Sequence, residues 1–155
     1  MRLDPVVSPD LPDWIRDHLV RYIDSNGEDG YWWDPGVSIG RSDLNKVPTL
    51  LLTTVGRKSG KHYTSPLIFG RSGESYVVVG TKGGSPEHPA WYLNLLANPE
   101  AGLQVKADRF LVRGRRAEGE ERAKLWKMMT GFWPLYEVQV TQTDREVPVV
   151  VLEPV

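Results

Sequence analysis

Two glycines bracket a pair of cations and a hydroxyl in Gly56-Arg57-Lys58-Ser59-Gly60. Glycine lets the backbone turn tightly and present its N–H groups to an anion. A guanidinium holds a phosphate through a two-pronged fork, and a lysine adds a point charge. The segment has the composition of an anion cradle. Gly, Lys and Ser also make ordinary solvated hairpin turns, and spacing alone does not separate the two readings. A Walker A loop is excluded: only three residues lie between the glycines, and Lys61 is followed by His62 rather than Ser or Thr. Thr81-Lys82-Gly83-Gly84 repeats the theme just ahead of a helix opened by Pro89. Backbone donors near a helix N-terminus favour anions. Taken alone it is as readily a flexible loop, but two basic glycine turns beside strands strengthen the anion reading.

Aromatic and amide side chains supply the rest. Trp91 and Asn94 stand three apart, so they share a helix face and could border a flat ligand. Core packing explains Trp91 equally simply. Phe132, Trp133 and Tyr136 cluster further on, and a Tyr hydroxyl can donate a proton or orient a substrate oxygen. Packing with a peripheral hydroxyl is the plainer alternative. The three histidines, at 18, 62 and 88, are isolated and show no metal-binding spacing, so no metal is expected. His18 on an apolar helix face reads as structural. With no Cys there is no thiolate nucleophile and no iron–sulfur ligand. The pattern G-x-G-x-x-G does not occur.

The formal net charge of −1 conceals a segregation. Residues 48–116 carry ten basic and four acidic side chains, while the flanking segments are both acidic. The near-zero total disfavours nucleic acid, and the basic middle suits a small anionic partner. The run Arg113-Gly114-Arg115-Arg116 would be split between strand faces by alternation. No stretch of 18 apolar residues occurs and the N-terminus lacks a signal-peptide pattern, which reads as cytoplasmic.

These residues must be positioned by a fold of 155 residues, a length that suits one domain. Trp14, Ile15, His18, Leu19, Tyr22 and Ile23 recur at helical spacing, predicting a helix over 10–25 with Asp10 as cap and Pro12 in its first turn. Residues 25–46 are rich in Gly, Asp and Ser and read as a loop or lid. Strands are predicted over 49–55, 62–69 and 75–81, with Pro66 marking an edge or bulge and 70–73 a turn. A helix over 89–97 ends at Asn98-Pro99. Residues 102–107 and 109–116 read as a hairpin turning near Asp108. Helices over 120–130 and 134–140 and a strand over 147–152 complete the chain. About six strands in hairpin order, not alternating strictly with helices, predict a mainly β, α+β architecture built on an antiparallel barrel.

The segments Leu52-Thr53-Thr54-Val55-Gly56-Arg57-Lys58-Ser59-Gly60, Ser65-Pro66-Leu67, Thr81-Lys82-Gly83-Gly84, residues 89–99 around Trp91-Tyr92-Leu93-Asn94, and Thr143-Asp144-Arg145-Glu146-Val147-Pro148 stand in this order along the chain. Taken together, these five segments resemble the deazaflavin-dependent nitroreductase family. The resemblance implies a split β-barrel of the type that binds flavin mononucleotide (FMN) or oxidises pyridoxamine phosphate. The barrel would span 47–155, preceded by a helix and loop over 1–46. It implies coenzyme F420, a deazaflavin with a phosphate and an acidic oligoglutamate tail, and makes FMN the alternative. The phosphate then falls to Arg57, Lys58 and Ser59. Further cofactor contacts fall to Ser65, Pro66, Val79, Gly80, Thr81, Lys82, Gly83, Gly84, Ala90, Trp91 and Asn94.

Catalytic roles would fall to Tyr136 and Thr81, and a substrate pocket to Trp133, Tyr136 and Gln139, with Trp32 or Trp33 as a further wall. Tyr63 stands where the best-known nitroreductase-type members carry Arg, Gln139 replaces a second pocket tyrosine, and Trp133 occupies another aromatic position of the pocket. The activity implied is hydride transfer from reduced F420 to a quinone-like, nitroaromatic or other unsaturated acceptor. A non-catalytic deazaflavin carrier is the alternative from another class. Split barrels of this kind often pair, which makes a homodimer one expectation. The Trp14 helix is expected to pack on the barrel rather than on a membrane.

Overall fold

The computed structural model describes residues 3–34 and 46–155. Among the described residues eight strands form one sheet: β1 (Trp32–Trp33), β2 (Val47–Val55), β3 (His62–Ile68), β4 (Gly70–Ser72), β5 (Ser75–Val79), β6 (Glu100–Val105), β7 (Asp108–Arg116) and β8 (Val149–Pro154). Four α-helices among these residues accompany them: α1 (Asp13–Asp24), α2 (Ala90–Ala97), α3 (Gly119–Phe132) and α4 (Leu135–Val140). The strand order is β1-β2-β6-β7-β8-β5-β4, with β3 pairing β2, and every pairing is antiparallel. The sheet curls into the split antiparallel barrel expected.

Strand alternation explains why the central strands are apolar on both faces. In β2, Leu50 and Leu52 enter one core, whereas Leu51 points to the other side and meets Leu19 and Tyr22 of α1. In β5 and β8, Tyr76, Val78, Val150 and Leu152 join Leu50 and Leu52 inside, together with Trp91, Tyr92 and Leu95 of α2. Val77, Val79, Val149 and Val151 face outward onto Leu125, Met129, Trp133 and Tyr136. Period-2 side chains with cover on both faces produce the unbroken apolar runs seen in the sequence. Each fully buried Leu or Val contributes about 1.5–3 kcal/mol relative to exposure.

Tyr22 fastens α1 to the barrel rim: its hydroxyl donates to the Thr49 carbonyl at 3.0 Å and accepts from the Lys106 N–H at 2.9 Å. Burial pushes this phenol up to about 12. Trp14 remains 61% exposed, while His18, Leu19 and Tyr22 are buried. Among the described residues no helix is long and apolar enough to cross a membrane.

Several boundaries differ from expectation. α1 starts at Asp13, with Pro12 at the cap in an extended conformation and Asp10 outside the helix. The residue before a proline disfavours helical backbone, so the helix cannot extend back through Leu11. Residues 70–73 are not merely a turn: Gly70–Ser72 pairs with 75–77, leaving the reversal at Gly73, whose φ is +58°. Trp32 and Trp33 form a short strand against Pro48 and Val47 inside the expected loop. Residues 35–45 of that loop lie outside the described residues. Pro66 sits in regular register opposite Leu51, so there is no bulge. Among the described strands β3 bonds only β2, which leaves it an edge where a missing N–H is tolerated. The second hairpin turns at Lys106 and Ala107, ahead of Asp108, with Lys106 at φ +55°.

Candidate functional site

The cradle sits where β2 leaves the barrel. The Gly56 N–H donates to the Lys61 carbonyl at 2.7 Å, and the Gly60 N–H to the Gly56 carbonyl at 2.9 Å, closing a tight loop that leaves Arg57, Lys58 and Ser59 exposed. A Cβ at Gly56 would stand 2.6 Å from the Tyr63 ring and 2.8 Å from Ser59 Oγ, so only glycine fits beneath the turn. Asn94, on α2, is buried. Its Oδ1 accepts from the Arg57 N–H at 3.2 Å and from Arg57 Nη1 at 3.0 Å, and its Nδ2 donates to Thr54 Oγ1 at 3.0 Å. One carboxamide thus anchors the arginine to the barrel. Ser59 Oγ lies 3.1 Å from the Tyr63 hydroxyl and accepts from the Lys61 N–H. A pocket of about 370 Å³ opens against Arg57, Lys58, Ser59, Thr54, Trp91 and Asn94.

A second pocket, of about 590 Å³, adjoins the first. Both are lined by Leu11, Thr64, Ser65, Ala90 and Trp91, so together they make one groove. The larger part is walled by Pro66, Val79, Thr81, Lys82, Trp133, Tyr136 and Gln139. Its opposite wall is α1 with its leading loop, through Leu11, Trp14, Ile15 and His18, joined by Trp33. Trp14 and Trp33 stack with centroids 6.5 Å apart and planes 11° from parallel. Tyr136 is buried edge-on to Trp133, 6.5 Å between centroids. Burial pushes its phenol well above its ordinary value, so it is a neutral hydroxyl at any physiological pH.

The loop after β5 is held in an unusual shape. Lys82 takes a φ of +47° and Gly84 of +87°, and Lys82–Gly84 forms a 3-10 turn. Gly84 packs close, since a Cβ there would lie 2.7 Å from Gln142 Oε1. Gly80 packs under Pro148, and its N–H donates to the Pro148 carbonyl at 2.9 Å.

The groove brings together most of the residues singled out in the sequence. Arg57, Lys58, Ser59, Ser65, Ala90, Trp91 and Asn94 line its cradle end. Pro66, Val79, Thr81, Lys82, Trp133, Tyr136 and Gln139 line its broad end, and Gly83 lies in the turn beside it. Gly80 and Gly84 shape the loop without forming the wall. Of the two tryptophans offered as a further wall, Trp33 lines the groove; Trp32 does not and is 58% exposed. His18 is structural as expected, its Nε2 lying 2.7 Å from the Gly30 carbonyl, yet it also lines the groove.

Sequence reasoning missed α1 as a wall, because the helical face carrying Trp14 and Ile15 looks the same whether it meets core or ligand. It also left Arg145 without a role. That side chain donates to three carbonyls of the loop after β5, and its place within a quoted motif was the available signal. Among the described residues no group of acidic or histidine side chains could hold a metal.

The arrangement suits a long anionic ligand with a flat ring. Exposed cations attract a charged end, glycine loops allow close backbone approach, and Trp91 and Val79 line the groove. Comparison with known proteins agrees. The family model described as F420H(2)-dependent quinone reductase matches residues 14–154. The F420H(2)-dependent quinone reductase Rv1261c of Mycobacterium tuberculosis is 33% identical over 152 residues, covering 92% of this chain and 97% of that protein. A second protein of that organism, named for the same activity, is 36% identical over 116 residues, 75% of this chain and 98% of its own length.

Among solved structures, an F420-H2 dependent reductase (FDR-A) superposes with a TM-score of 0.63 at 40% identity, covering 68% of this chain and 94% of that one. Another, described as a domain-swapped dimer, gives 0.66 at 34% identity over 91% of this chain and 98% of that one. With the family model spanning nearly the whole barrel and α1, this chain belongs to the F420H(2)-dependent quinone reductase family of oxidoreductases, whose cofactor is coenzyme F420.

Proposed function

We propose that this protein passes hydride from reduced F420 to a quinone-like acceptor bound in the broad end of the groove. The observation that carries the reading is the continuity of the groove, cationic at Arg57 and Lys58 and aromatic at Trp133, Tyr136 and Trp33. When bound, the deazaflavin supplies the hydride, which relieves the protein of any need for a nucleophile. The chain's own work is binding and placement. Arg57 and Lys58 hold the phosphate, with Ser59 as a hydroxyl donor and Asn94 fixing the guanidinium. Thr81, Lys82 and the backbone of Val79 line the place for the ring. Trp133 and Trp33 exclude water around an apolar acceptor. Tyr136, kept neutral by burial, can donate a hydrogen bond to an acceptor oxygen but cannot act as a base.

Quinones suit this end because they are flat, largely apolar and carry oxygens. A nitroaromatic shares flatness and belongs among the acceptors to be screened. The domain-swapped dimer among the structural neighbours supports pairing of two copies.

Two measurements test the reading. Purified protein is titrated with F420 and, separately, with FMN. Reduced F420 is then mixed anaerobically with menadione, and its oxidation is followed. Tight F420 binding and catalysed oxidation are expected. FMN binding in place of F420 would sink the cofactor assignment, and F420 binding without turnover on any acceptor would point to a carrier.

A further inference from the structure

Arg145 lies in the loop between α4 and β8, away from the groove wall, and its guanidinium reaches across to the loop after β5. Nη2 donates to the Thr81 carbonyl at 2.7 Å, Nη1 to the Gly80 carbonyl at 3.0 Å and Nε to the Ser85 carbonyl at 3.0 Å. Nη1 also lies 3.1 Å from His88 Nδ1. Arginine has no acceptor, so that contact requires an unprotonated Nδ1 on His88. A single planar fork therefore grips three carbonyls of one short loop and one imidazole.

The consequence follows from peptide geometry. In a trans peptide the N–H points opposite to the C=O. With the Gly80 and Thr81 carbonyls drawn to Arg145, the N–H groups of Thr81 and Lys82 are turned the other way. Thr81 and Lys82 line the groove and Arg145 does not. The positive φ at Lys82 is a costly conformation for a residue with a side chain, and it needs an external hold.

We propose that Arg145 is a positioning residue that holds the Gly80, Thr81 and Ser85 carbonyls toward itself and so presents the Thr81 and Lys82 N–H groups to the cofactor, with neutral His88 as its fourth acceptor. The inference rests on the groove being the F420 site. It gives the Thr143–Pro148 motif a task that neither the cradle nor the acceptor pocket supplies. A lysine would keep the charge, but its single nitrogen could not reproduce bonds made from three separate guanidinium nitrogens, so the fork and not the cation is the requirement.

The hold is also sensitive to protonation of His88. Arg145 faces that ring from the α4–β8 loop, Arg116 from β7 and Tyr92 from α2, while Glu87 beside it is engaged by Lys82 at 3.7 Å. Adding a proton at Nδ1 would place a second cation against Nη1 and break the contact.

The test compares wild type, Arg145→Lys, Arg145→Ala and His88→Asn in F420 titrations from pH 5.5 to 8, with thermal melts to confirm folding. Asn offers an acceptor near the Nδ1 position without titrating. At pH 7.5 both Arg145 variants should bind F420 about tenfold more weakly, the scale of losing one preorganised element. Trypsin should nick both faster after Lys82 in the absence of cofactor. Wild-type affinity should fall more steeply than that of His88→Asn below pH 6.5, and the cofactor's own titration cancels in that comparison. Wild-type affinity in Arg145→Lys overturns the proposal, as do superimposable pH profiles, and the second arm stands even where Arg145 variants do not fold. If wild type binds FMN and not F420, the cofactor reading fails, and the same comparison run with FMN still decides the role of Arg145.

Discussion

Asn94→Ala separates placement of Arg57, the arginine proposed to bind phosphate, from its mere presence. The carboxamide makes three hydrogen bonds, two from Arg57 and one to Thr54. Arg57 is exposed, so its freed donors turn to water at little cost. Thr54 is fully buried, and its hydroxyl loses a partner. An unsatisfied buried hydroxyl costs about 1–3 kcal/mol and each lost neutral bond about 1 kcal/mol. The better helix propensity of Ala returns a few tenths, roughly 0.5 kcal/mol. The net is about 2–4 kcal/mol, or on the order of 5–15 °C in Tm for a chain of this size.

The functional effect is smaller and separate. Arg57 must now be ordered by the ligand, at about 0.5–1.5 kcal/mol for a rotamer-rich side chain, which weakens F420 binding by roughly 2–10-fold. Thermal melts read the first quantity and fluorescence titration the second. A protein that melts lower yet binds F420 as wild type does would refute the anchoring argument, since Arg57 would then need no fixed position.

Further outcomes follow from the geometry. Replacing Arg57 and Lys58 together by Ala should weaken F420 binding by several kcal/mol, at roughly 1.5–3 kcal/mol per charged hydrogen bond. Wild-type binding itself should weaken as salt is raised, because exposed charges are screened; a salt-independent Kd would place the anion elsewhere. Gly84→Ala meets both a φ of +87° and a contact of 2.7 Å with Gln142, so a loss of about 1–3 kcal/mol in stability and a looser cofactor loop are expected in denaturant melts and F420 titration. Tyr136→Phe should leave the neutral-pH activity profile unchanged in shape while raising the acceptor KM about fivefold, the worth of one neutral hydrogen bond. The buried Tyr136 phenol resists ionisation, whereas the unfolded chain ionises near pH 10; its stabilising effect is therefore complete below pH 10 and lost as pH rises beyond it. A catalytic pKa that disappears from the profile of the Phe variant would show Tyr136 acting as a titrating acid.

Much of this protein is legible along the chain because its signals are local. Alternation and β-branched runs mark β2, β5 and β8, and Pro89 with Asn98-Pro99 brackets α2. The glycine-bounded cradle carries its own chemistry, and the order of five short segments points to a family whose model spans residues 14–154. Short elements were less legible. A two-residue strand such as Trp32–Trp33, or Gly70–Ser72, has no periodicity of its own and exists only because Val47, Pro48 and β5 offer free backbone partners.

Tertiary structure alone decided how the site is closed. The α1 wall, the Asn94 bridge from α2 to the cradle and the reach of Arg145 across more than sixty residues to the loop after β5 depend on contacts between segments far apart in the chain. Residue type fixes what a side chain can bond, but which acceptor lies within reach is set by packing. The amino-acid order thus determined the chemistry available and the split barrel that carries it. The fold determined which cation is anchored and which hydroxyl is kept neutral.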